Sequence, residues 1–223
     1  MTNETFLNIM FEVETKGFCD LGVIKNFDLL KFAYKIGKPI PILPDEPKLG
    51  LVGARSLSSN LSSNEYATIY KENIPFHTDA AYYKIPPKYL ILRLKKTSLS
   101  NRNTTVKKLF TNLSQEIVDI LSKSLWKVRS PNGRYFIGKI IERRNNDFFI
   151  RYDSNSMVPY FKKNQYSREV LEGVLDKIQT FEITWEPEKI VILNNWKVLH
   201  GNSKVINDID SSNRILERVL VEV

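Results

Sequence analysis

Two histidines occur in this chain, and each sits where an apolar, strand-like run ends. His77 lies in Pro75-Phe76-His77-Thr78-Asp79, and His200 closes the run Lys189-Ile-Val-Ile-Leu-Asn-Asn-Trp-Lys-Val-Leu-His200-Gly201. A fold that uses both must bring distant strand ends together, as the mouth of a β-barrel does. His77 and Asp79 are two residues apart, so in an extended segment their side chains point to the same side. Two neutral imidazoles and one carboxylate occupy one face of an octahedron and leave three positions open. That set suits Fe(II), which can then take a bidentate cosubstrate and dioxygen together. One histidine alone would read as a satisfied polar residue; two in matching contexts favour a metal site.

The rest of the chain is strand-heavy. Residues 17–22, 88–94, 181–186, 189–195 and 214–223 read as strands, and residues 133–141 and 148–153 read as a hairpin around Asn145-Asn146. Residues 6–16 alternate loosely and fit an entry strand or a short helix. Helices are expected over 27–36 with Asn26 as cap, over 114–125 with Ser114 as cap, and over 167–179 with Ser167 as cap. The Ser/Asn-rich stretch 56–64, just ahead of His77, has loop composition and fits either a segment over a site or an ordinary surface loop. Without regular βα alternation, this order points to an antiparallel sheet or barrel with helices packed outside. At 223 residues, with no repeat or linker, residues 1–223 are expected to form a single domain.

The final strand carries Arg214 and Arg218. On a strand both point to one face with Leu216 between them, about 13 Å apart, while Glu217 faces the other way. One guanidinium can grip a small dicarboxylate end-on.

Composition excludes more than it selects. Hydrophobic residues at 42% and aromatic residues at 11% suffice for a packed core and argue against disorder. No run approaches the roughly 18 apolar residues of a membrane span, and the N-terminus lacks a secretion-signal pattern. The single cysteine, Cys19, builds no disulfide framework, so the cytoplasm is the expected location. A net charge of +8 reads first as a lysine-rich solvated surface. It permits an acidic carrier protein as partner. Nothing resembles a recognition helix or a base-stacking motif, which disfavours nucleic acid.

Taken together, the motifs resemble the Fe(II)- and 2-oxoglutarate-dependent dioxygenases of the taurine dioxygenase (TauD/TfdA), clavaminate synthase-like group. The resemblance rests on Gly17-Phe18, Phe32-Ala-Tyr-Lys-Ile-Gly37-Lys-Pro39, Ile74-Pro-Phe-His77-Thr-Asp79-Ala-Ala-Tyr82, Pro86-Pro87-Lys-Tyr-Leu-Ile-Leu92, Asn103-Thr104-Thr105, Leu193-Asn-Asn-Trp-Lys-Val-Leu-His200-Gly201 and Arg214-Ile-Leu-Glu-Arg218, in that order. It implies a mainly β fold with flanking helices, a double-stranded β-helix or jelly roll with a cupin-like core. It implies that His77, Asp79 and His200 bind Fe(II), that Arg214 with Thr104 holds the distal carboxylate of 2-oxoglutarate, and that Arg218 faces the cosubstrate or the anionic end of the substrate. The implied chemistry is oxidative decarboxylation of 2-oxoglutarate by O2, giving succinate and CO2, coupled to attack on an unactivated carbon. Halogenases of this type lack the carboxylate, so Asp79 makes hydroxylation the default, with desaturation or cyclisation open on the same iron.

The chain is shorter than typical members between Thr104 and His200, and its His200–Arg214 loop is long. Both places bear on substrate recognition. The expected substrate is an amino acid or a related small anionic metabolite, free or carrier-tethered. Asn73, Arg151, Asp153 and Arg218 are the residues expected to touch it. A cupin-type metalloenzyme without oxygenase activity would use the same three ligands but leave Thr104, Arg214 and Arg218 idle.

Overall fold

The structure is a computed structural model, and it describes residues 2–41, 47–53, 74–96, 103–203 and 215–223, with the backbone alone at 51–53. The stretch 56–64, Asn73 and Arg214 lie outside the described residues.

Strands β1 (Phe18–Val23), β2 (Lys38–Ile40), β3 (Leu49–Gly53), β4 (Tyr89–Lys96), β5 (Thr104–Lys107), β6 (Trp126–Arg129), β7 (Tyr135–Gly138), β8 (Ile141–Arg144), β9 (Asp147–Ile150), β10 (Met157–Pro159), β11 (Thr180–Ile183), β12 (Lys189–Asn194), β13 (Leu199–Asn202) and β14 (Ile215–Glu222) follow one another along the chain. A six-stranded sheet runs β1-β12-β4-β14-β2, with β3 also on β14, and a three-stranded sheet runs β11-β5-β13. Every pairing in both is antiparallel. The two sheets face each other across a shared core as a double-stranded β-helix, the architecture that the family resemblance implies.

Strand parity sorts the side chains. Leu90, Leu92 and Leu94 of β4, Val191 and Leu193 of β12 and Leu220 of β14 enter the space between the sheets, beside Val106, Ile183 and Trp185. The alternate residues Tyr89, Ile91, Ile190, Ile192, Val219 and Val221 point outward and are covered by the N-terminal helices. Near-continuous apolar runs in β4 and β12 follow, because both faces of these central strands are buried.

The first helix spans Asn3–Lys16, so residues 6–16 are helical rather than extended. Thr2 caps it, and Gly17 ends it at φ 84°, the left-handed region that favours glycine. A Cβ at Gly17 would also stand 2.5 Å from Val198 Cγ1. The second helix, Leu29–Ile36, is capped by Asp28, whose Oδ1 accepts from Lys31 N at 2.9 Å. Asn26, the expected cap, instead takes a left-handed turn conformation at φ 58°, which asparagine tolerates.

A third cluster packs the helices Gln115–Lys123 and Gln165–Lys177 against β6, β8, β9 and β10 around Trp126, Ile141, Ile150, Met157 and Leu171. Ser114 caps the first of these as expected. Ser167 does not cap the second. It lies inside the helix, buried, where its hydroxyl donates to Asn164 O at 2.6 Å and accepts from Trp126 Nε1 at 3.2 Å. The Asn145-Asn146 hairpin joins β8 to β9, whereas Tyr135–Gly138 pairs with β6 in another sheet. No helix among the described residues is long and apolar enough to cross a membrane.

Candidate metal centre

His77 and His200 sit opposite each other in an isolated antiparallel bridge. His77 N donates to His200 O at 2.9 Å and His200 N donates to His77 O at 3.0 Å, so the backbone fixes the two residues against one another. Their rings lie 4.4 Å apart, centroid to centroid. Gly201 permits the close approach, since a Cβ there would stand 2.5 Å from Ile74 O. Asp79 follows two residues later in a turn, and its Oδ1 lies 3.3 Å from His77 Nε2 and 3.7 Å from His200 Nε2. The three side chains each offer one ligand atom within 4.8 Å of the others, and among the described residues they are the group of this kind.

Details of the cluster fit a divalent cation. His77 Nδ1 is 2.9 Å from Pro75 O. A carbonyl can only accept, so Nδ1 carries a proton; the neutral ring then has its lone pair on Nε2, the tautomer a metal needs, and the protonated ring donates from Nε2 to Asp79. His200 Nδ1 is buried with no partner among the described residues. Asp79 divides its oxygens: Oδ1 faces the imidazoles and Oδ2 accepts from Arg218 Nη1 at 3.0 Å. Burial opposes charge on Asp79, but the Arg218 guanidinium and the hydrogen bonds of His200 and His77 hold its carboxyl well below the usual range. Burial pulls His77 down while Asp79 outweighs it, leaving His77 raised. His200 is lowered by burial and by the charge of His77.

Strand register brings other expected residues here. Arg218, Leu216 and Leu220 share the inner parity of β14, and Glu217 points out to pair with Arg93 Nη2 at 2.5 Å. Thr104 lies on β5 two residues from Val106, which is paired with His200. Its side chain therefore shares the face of His200, about 7 Å along the strand. The Thr104 hydroxyl accepts from Trp185 Nε1 at 2.9 Å and keeps its own proton to donate. Asp153 is half-buried and near enough to help raise His77.

Arg151 is not brought to the cluster. It is 0% exposed, lies between the rings of Phe136 and Phe149, pairs with Glu142 Oε1 at 2.9 Å and donates to Lys84 O. The sequence places it at a strand end beside Asp153 but cannot show that its charge is already spent inward. Asn195 is not among the site residues expected from the sequence. Its carboxamide bonds to the backbone of Asp79, and the visible signal was a polar Asn-Asn pair interrupting an apolar strand.

The chain matches the model of the Taurine catabolism dioxygenase TauD, TfdA family over residues 17–220. None of the curated proteins matches it by sequence. Among solved structures, the non-heme iron oxygenase OrfP in complex with Fe aligns at 14% identity, covering 99% of this chain and 79% of that one, with a TM-score of 0.72. OrfP in complex with Fe and alpha-ketoglutaric acid aligns at 16% identity over 100% and 81%, TM-score 0.73. Asparagine oxygenase in complex with Fe(II), 2S,3S-3-hydroxyasparagine and succinate aligns at 15% identity over 99% and 80%, TM-score 0.73.

Proposed function

Since this chain belongs to the TauD, TfdA dioxygenase family, we propose that it is a non-haem Fe(II)- and 2-oxoglutarate-dependent oxygenase that hydroxylates an unactivated carbon of an amino acid or related small anionic metabolite. The observation that carries this reading is the cluster itself: two Nε2 atoms and one carboxylate oxygen converge within 4.8 Å, with the His77 tautomer set by Pro75 O. His77, Asp79 and His200 would hold the iron. Iron bound there supplies oxidative decarboxylation of 2-oxoglutarate by O2, with succinate and CO2 as products, and transfer of oxygen to the substrate.

The chain's own residues orient and discriminate. Arg218 holds the second Asp79 oxygen and leaves the first facing the two imidazoles. Its Nε is buried without a partner among the described residues, so it retains a donor for the anionic end of the cosubstrate or substrate. Thr104 presents its hydroxyl proton from the face of His200 to the distal carboxylate of 2-oxoglutarate, with Arg214 as the cation for it. Asp153, on the His77 side, suits the cationic part of an amino acid. Substrates of that class are supported by the similar structures, one holding (3S)-hydroxy-L-Arg and another 3-hydroxyasparagine. We read residues 1–223 as one cytoplasmic domain acting on a small molecule, and an acidic carrier protein that delivers it suits the net charge of +8.

The test is spectroscopic. Fe(II) and 2-oxoglutarate added anaerobically should give a visible charge-transfer band that His200→Ala removes. Amino acids and small anions are then screened for stimulated succinate release. Absence of the band in the wild type, or its survival in His200→Ala, sinks the iron assignment.

A further inference from the structure

We infer that Asn195 is a positioning residue for Asp79, a carboxamide clamp that sets the metal carboxylate in place before any metal arrives. This rests on the reading of His77, Asp79 and His200 as iron ligands. His77 and His200 are fixed by their mutual backbone bridge. Asp79 lies in a turn and has no such strand partner. Ala80 directly after it takes φ 54°, so regular pairing cannot continue past the ligand.

Asn195 replaces the missing strand. Its Oδ1 accepts from Asp79 N at 2.9 Å, and its Nδ2 donates to Asp79 O at 3.0 Å and to Pro87 O at 2.9 Å. A carboxamide carries an acceptor beside a two-proton donor, and can therefore satisfy both backbone groups of one residue as a neighbouring strand would. The clamp is itself anchored: Asn195 is 0% exposed, and its backbone N donates to Lys88 O at 2.8 Å. On the other side of Asp79, Thr78 N donates to Tyr152 O at 2.7 Å and Thr78 Oγ1 donates to Ile150 O at 3.1 Å. The ligand residue is thus gripped from both flanks. Asn195 also opens the turn between β12 and β13, so the segment that delivers His200 orients Asp79 as well.

The neighbouring Asn194 provides the control. It is equally buried at 0%, but it turns outward, donating to Glu14 Oε2 at 3.2 Å and accepting from Trp196 N at 3.1 Å. Removing either carboxamide costs stability, yet only Asn195 touches Asp79.

The experiment titrates Mn(II), a redox-inert stand-in for Fe(II), into the full chain and its variants at a temperature where circular dichroism shows each folded. Asn195→Ala should weaken Mn(II) binding by about 10-fold or more, the usual effect of losing a group that orients a ligand, while Asn194→Ala lowers the Tm and leaves Mn(II) affinity at the wild-type value. Asn195→Asp keeps the acceptor but sets an oxygen against two carbonyls, and should weaken binding as Asn195→Ala does. Wild-type affinity in Asn195→Ala, or an equal loss in Asn194→Ala, overturns the inference. If neither Asn195 variant folds, amide exchange in the metal-free wild type decides. The Asp79 N–H should be strongly protected; exchange at the rate of an open loop, slowed only by added metal, refutes the clamp. A wild type that binds no metal refutes the iron reading instead, and the exchange measurement still judges the clamp.

Discussion

Arg218 Nη1 stands 3.0 Å from Asp79 Oδ2, while the other oxygen of the same carboxylate faces the two imidazoles. One buried acid is thereby shared between a fixed cation and the place where a metal would sit. The guanidinium, with the hydrogen bonds of His200 and His77, offsets the burial that disfavours charge on Asp79.

That relationship sets a pH dependence. Asp79 must be ionised to bind metal, and its depressed pKa keeps it ionised as the pH falls. Arg218→Met removes the cation, one of the groups that offset burial, so the carboxyl pKa rises. Carboxyl-carbon NMR shifts of the metal-free protein should show Asp79 taking up its proton at a higher pH in Arg218→Met than in the wild type. An unmoved carboxyl titration would mean that Arg218 does not govern Asp79.

Thr104→Val tests the cosubstrate contact. Loss of one hydrogen bond worth about 1 kcal/mol should raise the KM for 2-oxoglutarate roughly 5-fold, with kcat little changed. Should Thr104 act only as the acceptor for Trp185, the Tm falls and the KM stays where it was.

Arg151 separates a structural cation from a substrate contact. Arg151→Ala empties a fully buried site and strips Glu142 of its partner, at a cost of about 2–4 kcal/mol. Mn(II) affinity and substrate KM should be unchanged in the folded fraction. A specific rise in KM would return Arg151 to the substrate site.

Glu14 ties the first helix to the sheet. Its carboxylate accepts from Tyr89, Asn194 and Lys197 and pairs with Lys88. Burial resists its ionisation, yet these partners win and its pKa is lowered. A depressed carboxyl stabilises the fold fully above the ordinary carboxylate range and loses that contribution as the pH falls from there through its own lower pKa. Glu14→Gln should therefore lower the Tm at neutral pH by roughly 2–8 °C for about 1–2 kcal/mol, with the gap to wild type closing in acid. A constant gap would show that the charge of Glu14 is not what matters.

The sequence shows strand parity well, because β4, β12 and β14 alternate or saturate with apolar residues in a way one buried sheet demands. Glu217 facing away from Arg218 follows from parity alone. His77, Asp79 and His200 are visible as rare residue types at strand ends. Less legible is anything decided by a partner far away in sequence. Asn26 and Asp28 are both competent caps, and only the turn into the sheet selects Asp28. Arg151 and Arg218 are both arginines on or next to strands; one is absorbed by Glu142 and two phenylalanine rings, the other reaches Asp79. Asn195 belongs to the same class, since its importance lies in backbone groups more than a hundred positions earlier.

The bridge between His77 and His200 has a consequence for metal selection. A nascent chain that has passed Asp79 exposes a His-x-Asp pair with neither its clamp nor its third ligand, and such a pair discriminates poorly among cations. Asn195, His200 and Arg218 come more than a hundred residues after Asp79, and Arg218 is held in β14, which lies between β4 and β2. The centre is therefore assembled by long-range contacts: the His77–His200 bridge, the Asn195 carboxamide on Asp79, and Arg218 on Asp79. Selective metal binding therefore depends on contacts made across more than a hundred residues, and the local His-x-Asp pair alone does not provide it.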